Sequence, residues 1–166
     1  MSNEDDRPAN IDDVDRAILY ALQQDARNAT TTGIGKDIGV SASTIRNRIE
    51  RLEGDGIIEG YQPKLNYEQA GFPLRLIFTC TAPPDERNTL ARDVLNVRGV
   101  IDVRELVTSE ENLLVEAVAV NTRDVVEITR LLNEKDIKVN SSEMVTSHHT
   151  RLFGFFESVN GDDTDE

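Results

Sequence analysis

A chain of 166 residues holds one ordinary domain or two small ones, and 38% apolar residues give a globular core with little excess. With 31 acidic and 18 basic residues its formal net charge is −13, the wrong sign for a typical nucleic-acid-binding protein. No apolar run approaches the length of a membrane span, and the single cysteine, Cys80, rules out an internal disulfide.

Residues 1–10 are polar and charged, with Pro8, and read as a disordered arm. The start Met1-Ser2-Asn3-Glu4-Asp5-Asp6 lacks the basic-then-apolar order of a signal peptide, so a cytoplasmic protein is expected. Residues 11–56 read as three helices. The first runs from about Asp13 to Gln24, with Val14, Ile18, Ala21 and Leu22 on its inner face and Asp12 or Asp13 as cap. Thr30-Thr31-Thr32 can cap a short second helix carrying Ile34 and Ile38 at i, i+4. Gly33 and Gly35 weaken that helix by roughly 1 kcal/mol each relative to alanine. Gly39 suits a tight connection, and Ser41 caps a third helix from Ala42.

In that third helix Ile45, Ile49 and Leu52 recur at i, i+4, i+7 and share one face. Ser43, Asn47 and Glu50 fall opposite, Arg46 and Arg51 flank them, and Thr44 and Arg48 lie at the border. Hydroxyl, amide and guanidinium groups in that arrangement can grip phosphates or read base edges. Helix, glycine turn and polar-faced helix make a helix-turn-helix. The residues expected to meet DNA are Ser41, Ser43, Thr44, Arg46, Asn47, Arg48 and Arg51. The plainer alternative is a solvated amphipathic helix whose arginines only balance nearby acids. Charge favours the DNA reading locally: Arg46, Arg48 and Arg51 face Glu50 alone over residues 41–52, a net of +2, while the chain ends hold much of the acidic excess.

Residues 57–72 read as a strand or hairpin linker, with Pro63 suited to an edge. From Leu74 the apolar period drops to two, with Leu74, Leu76, Phe78 and Cys80 on one face of a strand. A helix follows Pro83-Pro84, starting at Asp85-Glu86, with Leu90, Ala91, Val94 and Leu95 inward. Strands are expected from Val100 to Val107 and Leu113 to Val120, with a turn through Ser109-Glu110-Glu111-Asn112. Thr122 can cap a helix packing Val125, Ile128, Leu131 and Leu132, and a last strand runs from Ile137 past Val145. The order β-α-β-β-α-β over residues 73–157 can form a ferredoxin-like sheet with both helices on one face. The whole chain is then α+β, ending in an acidic tail over 158–166. The bare sheet face, around Ile77, needs cover, and a second copy of the chain supplies it by a two-fold contact.

Asp15-Arg16-Ala17-Ile18-Leu19, Gly39-Val40-Ser41, Ser43-Thr44-Ile45, Arg48-Ile49, Arg51-Leu52-Glu53 and Gly56-Ile57-Ile58-Glu59-Gly60-Tyr61 occur in order and in register. Over roughly residues 11–65 this spacing resembles the N-terminal half of the Lrp/AsnC (feast/famine) transcription regulators. The resemblance implies double-stranded DNA as partner and a C-terminal domain that assembles dimers or larger rings and can sense a small molecule. In that family the turn between the second and third strands of this domain often reads Thr-Gly-x-x-Asp and lies in the amino-acid site. The matching positions here are Thr108, Ser109, Glu110, Glu111 and Asn112, so the glycine and the final carboxylate are both replaced. A free α-amino acid is therefore not expected to act through this turn, unless its side chain is cationic. The acidic composition, with lysine only at 36, 64, 135 and 138, resembles proteins of salt-accumulating halophilic archaea.

Little else in the chain points to chemistry. His148 and His149 are adjacent, so on a strand they face opposite ways, and no metal ion or other cofactor is expected. Cys80 reads as a buried spectator thiol. The carboxylate pairs Asp5-Asp6, Asp12-Asp13 and Glu110-Glu111 read as surface charge, and no glycine-rich phosphate loop or G-x-S-x-G motif is present. The alternative to a DNA-binding regulator is an enzyme like the sirohaem decarboxylases, which share this two-domain architecture. The basic outer face of the third helix, and Ile58-Glu59-Gly60-Tyr61 where an Arg-Arg stretch would be expected, favour the regulator. A third reading keeps the fold as an assembly module with a vestigial helix-turn-helix.

Overall fold

Local capping chemistry sets most helix ends in the computed structural model, which describes residues 10–107 and 110–154. The arm over residues 1–9, the tail over 158–166, and Phe155, Phe156, Thr108 and Ser109 lie outside them. The chain divides into two compact units, Met1–Pro63 with Thr150–Glu166, and Lys64–His149.

In the first unit α1 (Asp13–Asp25) starts in a capping box: Asp15 N donates to Asp12 Oδ1 at 2.9 Å, and Asp12 N donates to Asp15 Oδ2 at 3.1 Å. Thr30 caps α2 (Thr31–Ile38), and Ser41 caps α3 (Ala42–Gly54) through the Thr44 amide. Between them Gly39 sits at φ +74°, and its amide closes α2 onto Gly35 O. Gly35 is the price of that tight turn, since a Cβ there would lie 2.5 Å from Val40 O. Ile18, Leu19, Ile34, Ile45 and Leu52 form the buried core of the unit, with Ile38, Ile49, Ile57 and Ile58 packed around it.

Of the strand or hairpin linker expected over residues 57–72, no strand forms. Ile57 N and Ile58 N both donate to Leu52 O, closing the end of α3, and residues 59–66 form no ladder with any described strand. Pro63 has no N–H to offer one.

The second unit contains β1 (Leu74–Thr81), α4 (Arg87–Val94), β2 (Val100–Glu105), β3 (Leu113–Ala119), α5 (Thr122–Glu134) and β4 (Lys138–Met144). The sheet is antiparallel throughout, ordered β2-β3-β1-β4, which is the ferredoxin-like arrangement. Leu76, Phe78, Cys80, Leu113, Val115 and Ala117 face Ala91 and Val94 of α4 and Ile128 and Leu132 of α5. Cys80 is fully buried there, and burial pushes its thiol up to about 12. Four boundaries differ from expectation. Asn121, not Thr122, caps α5, because its side chain accepts from the Arg123 and Asp124 amides while Asp124 answers its own N–H. The helix α4 begins two residues late with no side-chain cap. β2 ends at Glu105 and β4 at Met144.

Register places Arg75, Ile77 and Thr79 of β1 beside Val118, Glu116 and Leu114 of β3 on the face away from the helices. Glu116 is buried there, ion-paired to Arg75 and 3.7 Å from Arg104, which in turn reaches Asp102 at 2.8 Å. The bare face thus carries Ile77, Leu114 and Val118 around a charged cluster of Arg75, Glu116, Arg104 and Asp102.

Candidate nucleic-acid interface

The third helix builds the candidate site. Ile45 and Leu52 are fully buried, which fixes its inner face and turns Ser43, Arg46, Asn47 and Glu50 to the surface. At its N-terminus Ser41 Oγ lies 2.9 Å from Ser43 Oγ and 2.8 Å from Thr44 Oγ1, and accepts from Thr44 N at 3.1 Å. Three hydroxyls therefore gather where backbone N–H groups and the helix dipole favour an anion.

The arginines divide. Arg46 and Asn47 are exposed, and neither side chain has a hydrogen bond or ion pair to a described residue. Arg48 Nη1 donates to Asp12 Oδ2 at 2.6 Å and lies 3.3 Å from both oxygens of Asp15. Arg51 Nη2 donates to Asp15 Oδ2. Asp15 is fully buried, so its carboxylate is satisfied from α3 and from the α1 capping box together. The Asp15 N–H bond, and then the Arg48 guanidinium, hold the Asp12 carboxyl below the usual range. Asp12 in turn keeps the Arg48 pKa above its ordinary value.

Sequence reasoning missed these two aspartates as partners of the site. The signal was present: Asp15, Ile18, Leu19 and Leu22 run i, i+3, i+4, i+7, which puts a carboxylate inside an apolar stripe.

Of the candidate effector residues, Thr108 and Ser109 lie outside the described residues, and Glu110 is exposed. Asn112 is turned inward, 2% exposed, and pairs with both backbone groups of Ala82: Ala82 N donates to its Oδ1 at 2.9 Å, and its Nδ2 donates to Ala82 O at 2.8 Å. The fold uses this amide to continue the β1–β3 pairing past Cys80, where Asn112 N also donates to Cys80 O. His148 Nδ1 lies 3.3 Å from Arg75 Nη1, and among the described residues no group of three or more His, Cys, Asp or Glu could hold a metal ion.

Residues 11–53 match the AsnC-type helix-turn-helix domain. An uncharacterised HTH-type transcriptional regulator of Pyrococcus furiosus is 37% identical over 107 residues, 64% of this chain and 71% of that protein. The HTH-type transcriptional regulator LrpA of Pyrococcus horikoshii is 32% identical over 130 residues, 78% of this chain and 89% of that protein. Among solved structures, a feast or famine regulatory protein from M. tuberculosis complexed with L-methionine superposes with a TM-score of 0.75 at 22% identity, covering 86% of this chain and 96% of that one. LrpC of B. subtilis gives 0.73 at 16% identity, over 86% and 99%.

Proposed function

We propose a way of docking on DNA for this chain, which belongs to the Lrp/AsnC family of DNA-binding transcription regulators. Its α3 enters the major groove, with Ser41, Ser43 and Thr44 near a phosphate at the helix N-terminus, Arg46 and Asn47 facing the DNA, and Arg48 and Arg51 beside them but tied to Asp12 and Asp15. The observation that carries this reading is the outer face of α3, where Ser43, Arg46 and Asn47 stand exposed on a helix whose other face is locked into the core.

The bare sheet face of the second unit takes the same face of a second copy, which makes the protein at least a dimer. Supporting this, Ile77 and Leu114 sit half-covered on that face around the Glu116 cluster. Two-fold symmetry then asks for a roughly palindromic site, with half-sites about 10 base pairs or a multiple apart. The protein works in the cytoplasm as a regulator rather than an enzyme, in keeping with the names its relatives carry. Footprinting on its own promoter fragment tests the docking, and light scattering tests the dimer. Two protected half-sites on one side of the duplex are expected; a monomer in high salt would remove the palindrome.

For the effector we read the turn at Thr108, Ser109, Glu110 and Asn112 as unsuited to a free neutral α-amino acid. Asn112 carries no charge and its amide is engaged with Ala82, while Glu110 on an exposed turn repels a ligand carboxylate. Calorimetry against the common amino acids in concentrated potassium chloride should give no heat for neutral ones. Micromolar binding of a neutral amino acid, abolished by changing Asn112, would overturn this.

A further inference from the structure

The recognition helix carries three arginines, and the fold treats one of them differently from the other two. Arg48 reaches Asp12 at 2.6 Å and both oxygens of Asp15 at 3.3 Å, and Arg51 reaches Asp15 as well. Asp15 has no exposed surface at all. Drawing either arginine toward DNA would weaken the neutralisation of a buried carboxylate, which is among the costlier changes a folded protein can suffer. Arg46 and Asn47 have no such tie: both are exposed, and neither side chain has a partner among the described residues.

We propose that Asp15 is a positioning residue for DNA binding: with Asp12 it holds Arg48 and Arg51 against α1, and so leaves base reading to Arg46 and Asn47. This rests on the docking of α3 in the major groove given above. The chemistry of the two free side chains names what they read. A free guanidinium offers its fork to guanine O6 and N7, and a free amide pairs with adenine N6 and N7. Each half-site should therefore contain a guanine set by Arg46 and an adenine set by Asn47. The clasp has a second effect. Two cations that would otherwise add to the sequence-independent attraction for phosphate are kept on the protein, so the salt dependence of binding is shallower than a count of arginines on α3 suggests.

The test uses the full-length protein and a duplex selected from a random library, with a scrambled duplex as control. Fluorescence anisotropy over a range of salt gives affinity and salt slope, and thermal unfolding is followed in parallel. Arg46→Ala is expected to weaken binding to the selected duplex by about tenfold or more, to relax the preference at one guanine, and to leave the unfolding temperature unchanged. Arg48→Ala and Arg51→Ala are expected to lower the unfolding temperature, with affinity at a temperature where they are folded changing less than threefold and the salt slope unchanged. Asp15→Asn keeps the shape but drops the charge, and should steepen the slope by about one unit as Arg51 finds a phosphate while Arg48 stays on Asp12. A merely structural aspartate would not move that slope.

The assignment is overturned if Arg48→Ala or Arg51→Ala flattens the salt slope by about one unit at an unchanged unfolding temperature, or if Asp15→Asn leaves the slope where it was. If Asp15→Asn does not fold, Arg48→Gln and Arg51→Gln put the same question. Failure of the wild-type protein to select any duplex overturns the docking itself. Sequence-specific binding with a flattened slope for Arg48→Ala overturns only the division of roles.

Discussion

Replacing Asn112 with alanine strands two backbone groups at once. Ala82 is 1% exposed, and its N–H and C=O have the Asn112 amide as partner at 2.9 and 2.8 Å. A buried donor or acceptor left unpaired costs about 1–3 kcal/mol, so the pair costs about 2–6 kcal/mol if the site stays dry, and falls toward the lower end if a water occupies the vacated volume. The loss belongs to the second unit, because the clasp joins the end of β1 to the start of β3. Hydrogen exchange at the Ala82 amide reports it locally, and unfolding in urea at fixed protein concentration reports it globally. Asn112→Asp separates the two bonds. Its carboxylate still accepts from Ala82 N but offers Ala82 O no hydrogen, and burial raises its pKa in the folded state. A raised acid is penalised above its folded pKa, and the penalty fades as the pH falls through that value, when the carboxyl can donate. The aspartate variant should therefore gain on the wild type as the solution is acidified. Slow exchange at Ala82 and an unchanged urea midpoint for Asn112→Ala would refute the clasp.

Three further outcomes follow from the same reasoning. Leu52→Ala removes a fully buried side chain from the core of the first unit, and should cost about 2–5 kcal/mol there while leaving exchange in the sheet of the second unit unaffected. Cys80, with its thiol pushed up to about 12, should resist an aromatic disulfide reagent at pH 8 in the native protein and react as one thiol once unfolded; rapid native reaction would contradict its burial. The Asp12 carboxyl is held below its ordinary value of 3.8, so the stability it lends the α1 cap is present above that pH and is lost as the pH falls through the lowered value. Asp12→Asn should flatten the acid limb of the unfolding profile below pH 3.8, and an unaltered limb would count against the cap.

Much of the fold was legible because its signals are local and periodic. Asp12, Thr30 and Ser41 are caps that any helix start needs, and the switch from a 3.6 to a 2.0 period near Leu74 marks where helices give way to sheet. The segment after α3 misled because its β-branched pair Ile57-Ile58, with Tyr61 and Leu65 beyond, looks like a strand whether or not a neighbour is there to complete the ladder; here Ile57 and Ile58 close the end of α3 instead. The candidate site was legible in composition but not in partnership. Arg46, Arg48 and Arg51 look equivalent on a helical wheel. Only the tertiary approach of α1 brings Asp12 and Asp15 to two of them and leaves the third free. Asn112 shows the same gap: its place in a turn suggested contact with a ligand, while its amide is occupied across 30 residues of sequence by Ala82.

The most direct test of the central claim is selection of bound sequences from a random duplex library, run in parallel with the wild-type protein and an Arg46→Ala/Asn47→Ala double variant, neither change touching the core or the Asp15 clasp. The wild type should enrich a palindromic motif with guanine and adenine in each half, and the double variant should fold normally but enrich no motif. The same motif recovered at equal strength by both proteins would contradict the claim.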